Sequence, residues 1–260
     1  MELFKRILIA IVFIPIILLV FYSGGFVLTS FFAIVVFVQM FEIREMLLKK
    51  GIFLPKIIIP LSIPVFIASA HYGLNEILVS FLIIFIIISG NDLFKGRLEG
   101  AFSRISASMF SIIYTAVFLS TICRIRVMEN GIFLIMSLII LTWITDICAY
   151  FAGRFFGKHR GIFKASPKKT LEGFIAGTLS SFAVAFIIAY FIELTLFQTL
   201  SLVVSAGIFG QFGDLFESMI KRDAGIKDSS TLLPGHGGLL DRFDSLLISS
   251  PVLYILLIIF

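Results

Sequence analysis

The chain alternates long apolar stretches with short polar breaks. Apolar runs occupy about 7–22, 26–41, 55–70, 76–90, 105–122, 131–151, 173–192, 199–216 and 246–260. A helix needs about 20 consecutive apolar residues to cross the hydrocarbon core of a bilayer. Within the runs, apolar and polar residues do not alternate, which excludes the strands of a membrane barrel. The pattern therefore predicts an all-α polytopic membrane protein with about nine transmembrane helices. Several runs are short, so polar-looking flanks are expected to extend them, or they tilt little. The first two runs, read without a break, would exceed any bilayer. Ser23-Gly24-Gly25 interrupts them and predicts a hairpin.

Composition agrees with this picture. The 260 residues are 59% hydrophobic and 14% charged, where a soluble domain would carry about 25% charge. Mean hydropathy is +1.11. The first run lacks a small-x-small cleavage site and leads straight into the second, so it reads as a span rather than a cleaved signal. Cys123 and Cys148 fall at opposite ends of neighbouring spans, too far apart for a disulfide. No zinc-type Cys/His spacing occurs. His71 and Trp143 read as structural.

Charge gives the orientation. Of the 21 Lys and Arg, all but Arg124 and Arg126 lie at the N-terminus or in the loops after the even-numbered runs. Cytoplasmic loops carry the excess of Lys and Arg. The N-terminus is therefore expected in the cytoplasm and the C-terminus outside, in a multi-pass protein of the cell (inner) membrane. The net charge of +5 is an orientation signal first. No basic stretch is interleaved with aromatics on a soluble domain, so no nucleic-acid partner is expected. Residues 1–130 read as helices without a chemical motif. Residues 131–260 read as the catalytic region, with longer cytoplasmic loops over 152–172 and 217–245.

The candidate chemistry gathers in those loops. Run 8 ends GQFGDLFESMIKRD, with Asp214 and Glu217 at i, i+3 on one helix face. Gly207, Gly210 and Gly213 repeat at the same spacing. Such a stripe lets helices approach closely in lipid, and here it is expected to draw run 8 against run 9 and bring Asp214 near Asp241 or Asp244. A carboxylate among Phe212, Leu215 and Phe216 costs a few kcal/mol in apolar surroundings unless it is paired or metal-bound. An ion pair with Arg222 or Arg242 would also account for it.

LLPGHGGLLDRFDS, residues 232–245, comes next. Asp241 and Asp244 are again i, i+3. The glycines permit a turn in which backbone N–H groups converge at a helix N-terminus, a setting that favours phosphate. Both acids could instead be first-turn residues that complement the helix dipole. Three carboxylates beside such a loop suit Mg²⁺ bridged to phosphate. His236 could bind phosphate or steer a proton, or it could simply be solvated. Lys168, Lys169, Lys221, Arg222, Lys227 and Arg242, with Gly237 and Gly238, form a cationic, glycine-rich rim suited to a polyphosphate substrate. Lys164 reads better as a positive-inside residue. Asp146, within run 6, is either functional or a buried hydrogen-bonding group.

From Ser218 to Asp244 the chain resembles the signature of the phosphatidate cytidylyltransferases, the CDP-diacylglycerol synthases. Ser218, Lys221-Arg222, Lys227-Asp228, His236-Gly237-Gly238 and Asp241-Arg242-Phe243-Asp244 match it without a departure. SPKKTLEG, residues 166–173, resembles the family too, whereas the first 140 residues match only as hydrophobic spans. The resemblance implies a cytoplasm-facing membrane enzyme that makes CDP-diacylglycerol and pyrophosphate from phosphatidate and CTP, with Mg²⁺. It implies a role in phospholipid synthesis and a homodimer, and it leaves room for a second, monovalent cation. The family's metal-binding acids carry over to Asp214, Asp241 and Asp244. Two rivals stand beside this reading. A CTP-dependent lipid kinase of the polyprenol type shares the substrates and differs in which phosphate is attacked. An ion-coupled transporter would place its acids near the midplane, with internal repeats, and no repeat is visible here.

Overall fold

The computed structural model describes residues 15–232 and 237–259. Among these residues there is no strand, and an isolated bridge pairs Arg160 with Thr170. The helices in chain order are α1 (described over 15–23), α2 (Gly25–Lys49), α3 (Ile58–His71) and α4 (Leu74–Phe94). They continue with α5 (Ala101–Arg126), α6 (Gly131–Phe156), α7 (Leu171–Ile192), α8 (Leu196–Asp223) and α9 (Leu240–Ile259). Seven of them, α2 and α4 to α9, are long and apolar enough to cross a membrane. The 14-residue α3 is apolar but shorter. Run 7–22 begins outside the described residues. Among the described residues seven helices thus qualify, beside the nine runs read from the sequence.

The helices outrun the apolar pattern, as the short runs required. α6 passes 151 to reach Phe156, α8 passes 216 to reach Asp223, and α9 begins at Leu240 rather than 246. Extending a helix adds one backbone bond per residue once a nucleus exists, and Lys and Arg on the flanks can keep their heads in water while their stems stay apolar. The predicted break is present: Gly24 and Gly25 have φ of 63° and 48°, a region open to glycine but not to most L-residues. Phe21 and Phe32 then stack edge to face at 5.6 Å. Eleven residues of straight helix would separate them by about 16 Å, so the chain folds back.

Much apolar surface faces outward. Leu78, Val79, Leu82, Ile83 and Ile86 of α4 are exposed, as are Ile175, Leu179, Phe182 and Ile187 of α7. In water such surfaces would be contiguous sticky patches. Hydrocarbon tails cover them without penalty.

The chain forms two compact units. One comprises residues to Arg124 together with Asp223–Asp241, and the other comprises Ile125–Arg222 with Arg242–Phe260. In the first unit, α3 packs against α2, α4 and α5 around buried Phe32, Val36, Met40, Ile58, Phe66 and Tyr114. A buried ion pair joins Arg104 to Asp92 at 2.8 Å. In the second unit, α6 and α7 meet through glycines. A Cβ on Gly173 would lie 2.6 Å from the carbonyl oxygen of Ala149, and one on Gly177 would lie 3.0 Å from that of Thr145. Small residues allow this backbone approach, which stands in for a hydrophobic driving force inside lipid.

α8 is not uniform. Val203–Gly210 is a π-helix, a wider i→i+5 turn that is often found at functional sites. Its altered bonding is met by side chains: the Gly207 carbonyl accepts from Gln211 Nε2 at 2.6 Å and from Thr178 Oγ1 at 2.9 Å.

Candidate active site

The second unit gathers the acids of three helices. A Cβ on Gly213 of α8 would lie 2.5 Å from the backbone oxygen of Asp244 and 3.1 Å from Ser245 Cα in α9. This close passage sets residue 214 beside residue 244. Asp214 Oδ2 pairs with Lys169 Nζ at 2.7 Å, and Oδ1 accepts from Ser218 Oγ at 3.3 Å. Asp244 Oδ1 accepts from the Ser245 backbone N–H at 2.6 Å. Asp244 stands within electrostatic range of Asp214, Asp146 and Lys221. Asp146 of α6 in turn feels Asp214, Lys169 and Arg242. Three carboxylates thus lie within electrostatic range of one another, with Lys169, Lys221 and Arg242 near them. Like charges this close oppose one another's ionised forms unless cations intervene.

The glycine stripe serves three neighbouring helices. Gly207 abuts Ser181 of α7, a Cβ on Gly210 would lie 3.4 Å from Thr142 of α6 and 3.9 Å from Ser245 of α9, and Gly213 abuts Asp244 and Ser245 of α9. In an α-helix, residues three apart are neighbours on one side, and Gly210 and Gly213 both reach α9. The expected approach of run 8 to run 9 is made chiefly by Gly213.

The first unit holds the glycine loop. Backbone N–H groups do converge at the start of α9, and they converge on carboxylates of the protein itself. Asp241 Oδ2 accepts from Ser229 N at 2.9 Å, Ser229 Oγ at 2.8 Å and Gly238 N at 2.7 Å. Glu42 of α2, only 3% exposed, accepts from Ser230 Oγ at 2.6 Å, Leu239 N at 2.9 Å and Leu240 N at 2.7 Å. Ser229 Oγ adds a longer bond to it at 3.4 Å. The partial positive charge of a helix N-terminus favours such an anion. Gly237, at φ 78°, supplies the left-handed turn, and a Cβ there would lie 2.5 Å from Asp241 Oδ2.

The remaining expected residues are distributed as follows. Glu217 is fully buried and pairs with Lys221 at 2.9 Å. Lys168, Arg222, Lys227 and Arg242 are exposed. His236 lies outside the described residues. Cys123 and Cys148 are free thiols. At the foot of loop 152–172, Thr170 caps α7 by accepting from Gly173 N at 3.0 Å, and Glu172 bonds His159 Nδ1 at 2.6 Å. That fold sets Lys169 at the helix entrance, where it meets Asp214.

Residues 4–260 match the family model described as the cytidylyltransferase family. This chain belongs to that family. Over 254 residues it is 35% identical to phosphatidate cytidylyltransferases of Staphylococcus saprophyticus, Staphylococcus aureus and Staphylococcus haemolyticus, covering 95% of this chain and 95% of each relative. The cytidylyltransferase match therefore extends over the N-terminal helices, where the sequence carries no motif. Glu42 is the residue that motif reading passed over in that region. It stands 187 residues before Ser229 in the chain, so no local spacing could connect the two.

Proposed function

We propose that this membrane nucleotidyltransferase moves the CMP group of CTP to phosphatidate, releasing pyrophosphate and making CDP-diacylglycerol for phospholipid synthesis. The observation that carries the reading is one cluster of charges in the second unit, in a chain of this family, where Asp214, Asp244 and Asp146 lie near Lys169, Lys221 and Arg242. Opposed charges at a lipid-embedded site suit a reaction between two anions.

The nucleophile is the phosphate of phosphatidate, largely a dianion at neutral pH because its second pKa is about 6. No strong general base is needed. The barrier lies in bringing anions together, so positioning and charge neutralisation dominate. Lys169 and Arg242 hold phosphate oxygens as they approach. The acyl chains stay in lipid while the headgroup enters at the cytoplasmic face.

Among the described residues no group of three or more His, Cys, Asp or Glu side chains forms a metal cage. Mg²⁺ at phosphate sites is usually held by one or two carboxylates, with phosphate and water completing the octahedron. Asp214 and Asp244 supply that donor set. When bound, the ion would polarise the α-phosphate and neutralise the departing pyrophosphate. Asp241, which the sequence pairs with Asp214, has Oδ2 committed to Ser229 and Gly238, so we assign it to ordering the loop. His236 is assigned a phosphate contact, and a monovalent cation would have Asp146 as its nearest unassigned acid. The nine-span topology, with N-terminus inside and C-terminus outside, and a homodimer complete the proposal.

Labelled CTP tests it. With purified protein, phosphatidate and Mg²⁺, α-label is expected in the lipid and γ-label in pyrophosphate. Transfer of γ-label alone to the lipid would replace this reading with a CTP-dependent lipid kinase.

A further inference from the structure

Glu42 is a buried carboxylate far in sequence from every motif, and its surroundings are specific. It accepts from two serine hydroxyls and two consecutive backbone N–H groups. The serines belong to the loop after α8, and the N–H groups belong to Leu239, just before α9, and to Leu240, its first residue. A second tie from the same helix holds the segment's other end, because Lys50 at the foot of α2 pairs with Asp223. A Cβ on Gly238 would run into both Ser229 Oγ and Glu42 Oε1, so the loop backbone itself is seated on this carboxylate. Its hydrogen-bonding capacity is spent on neutral donors of the chain. That rules out substrate binding and leaves shape as its contribution.

We propose that Glu42 is a positioning residue for the reaction assigned above, and the inference rests on that assignment. It fixes where α9 begins. Asp241, Arg242 and Asp244 occupy the first turns of α9, so the starting point of the helix sets the direction in which each side chain projects. Partners that orient a ligating or catalytic side chain typically contribute about 10–100-fold in activity or metal affinity. Without Glu42, the Leu239 and Leu240 N–H groups lose their acceptor, the loop lifts from α2, and the helix start frays.

The test uses the purified full-length protein. Glu42→Gln removes the charge and one acceptor oxygen while keeping size. We expect kcat to fall about 10–100-fold, with KM for CTP within about threefold of the original and an unchanged melting temperature. Trypsin cleavage after Lys227 should become faster by a similar factor. Ser230→Ala removes a single donor from the opposite side, so it gives a milder loss and still decides the matter if the Glu42 variant does not fold. The double variant should be no worse than Glu42→Gln alone, since neighbours that share one interaction are not additive. Glu45→Gln, a half-exposed acid paired with Arg44, is the control expected to change nothing. Normal kcat in Glu42→Gln, or a lost kcat with unchanged cleavage at Lys227, would overturn the proposal. If the unaltered protein makes no CDP-diacylglycerol, the functional reading falls instead, and the cleavage experiment alone judges Glu42.

Discussion

Two groups of carboxylates in this molecule are held in opposite ways. In the first unit, Glu42 accepts from neutral donors, backbone N–H groups and serine hydroxyls, and Asp241 Oδ2 accepts from the same kinds of group. In the second, Asp146, Asp214 and Asp244 are set against one another, with lysine and arginine as counter-charges. Hydrogen bonds from the chain's own backbone complete an anion and leave it nothing further to bind. Anions crowded together remain in want of positive charge. In the function proposed above, the first arrangement builds structure, and the second would take a cation and the phosphates it carries.

The contrast breaks most visibly at the crowded acids. Asp214→Asn and Asp244→Asn preserve shape and remove charge, and each should lower CMP transfer about 10²–10³-fold, the scale on which removal of a transition-state charge stabiliser acts. Melting should stay the same. Near-normal activity in Asp244→Asn, measured with α-labelled CTP, would dissolve the proposed pair. Asp241→Asn should be milder, about 10–100-fold, and should leave the Mg²⁺ midpoint for activity unmoved. A large shift in that midpoint would return Asp241 to the ligand set and erase the distinction between the two groups. Smallest is Gly213→Ala, where the added methyl meets the Asp244 backbone 2.5 Å away. Overpacking of this kind costs about 1–3 kcal/mol, to be seen as a lower melting temperature, with activity falling as Asp214 and Asp244 separate.

The helices were largely legible from the order of residues, because lipid imposes one rule on every span and long apolar runs obey it. Their ends were less so: the apolar pattern stops at 216 while α8 continues to Asp223, since a helix can carry charged residues out of the membrane. Asp214, Asp244 and the lysines were legible because their spacing lies within single helices and loops. Glu42 was not, since it acts across 187 positions and sits in an ordinary-looking stretch, FEIREM. Nor were the different surroundings of Asp241 and Asp244: one helical turn separates them, and only the groups around each tell them apart.

The π-helix in α8 also works as a phase setting. A chain that turns through about 100° per residue in regular helix points its downstream side chains wherever the preceding turns leave them. The wide turn over Val203–Gly210 amounts to surplus length taken up before Asp214. Were the same residues to wind instead as regular α-helix, with i→i+4 bonds in place of i→i+5, they would complete more turns and swing everything beyond them about the helix axis. Asp214 would face the lipid or another helix, with every residue of the signature still present. The composition of a site and its aim are separable, and in this protein the aim is stored several residues upstream of the acid it serves.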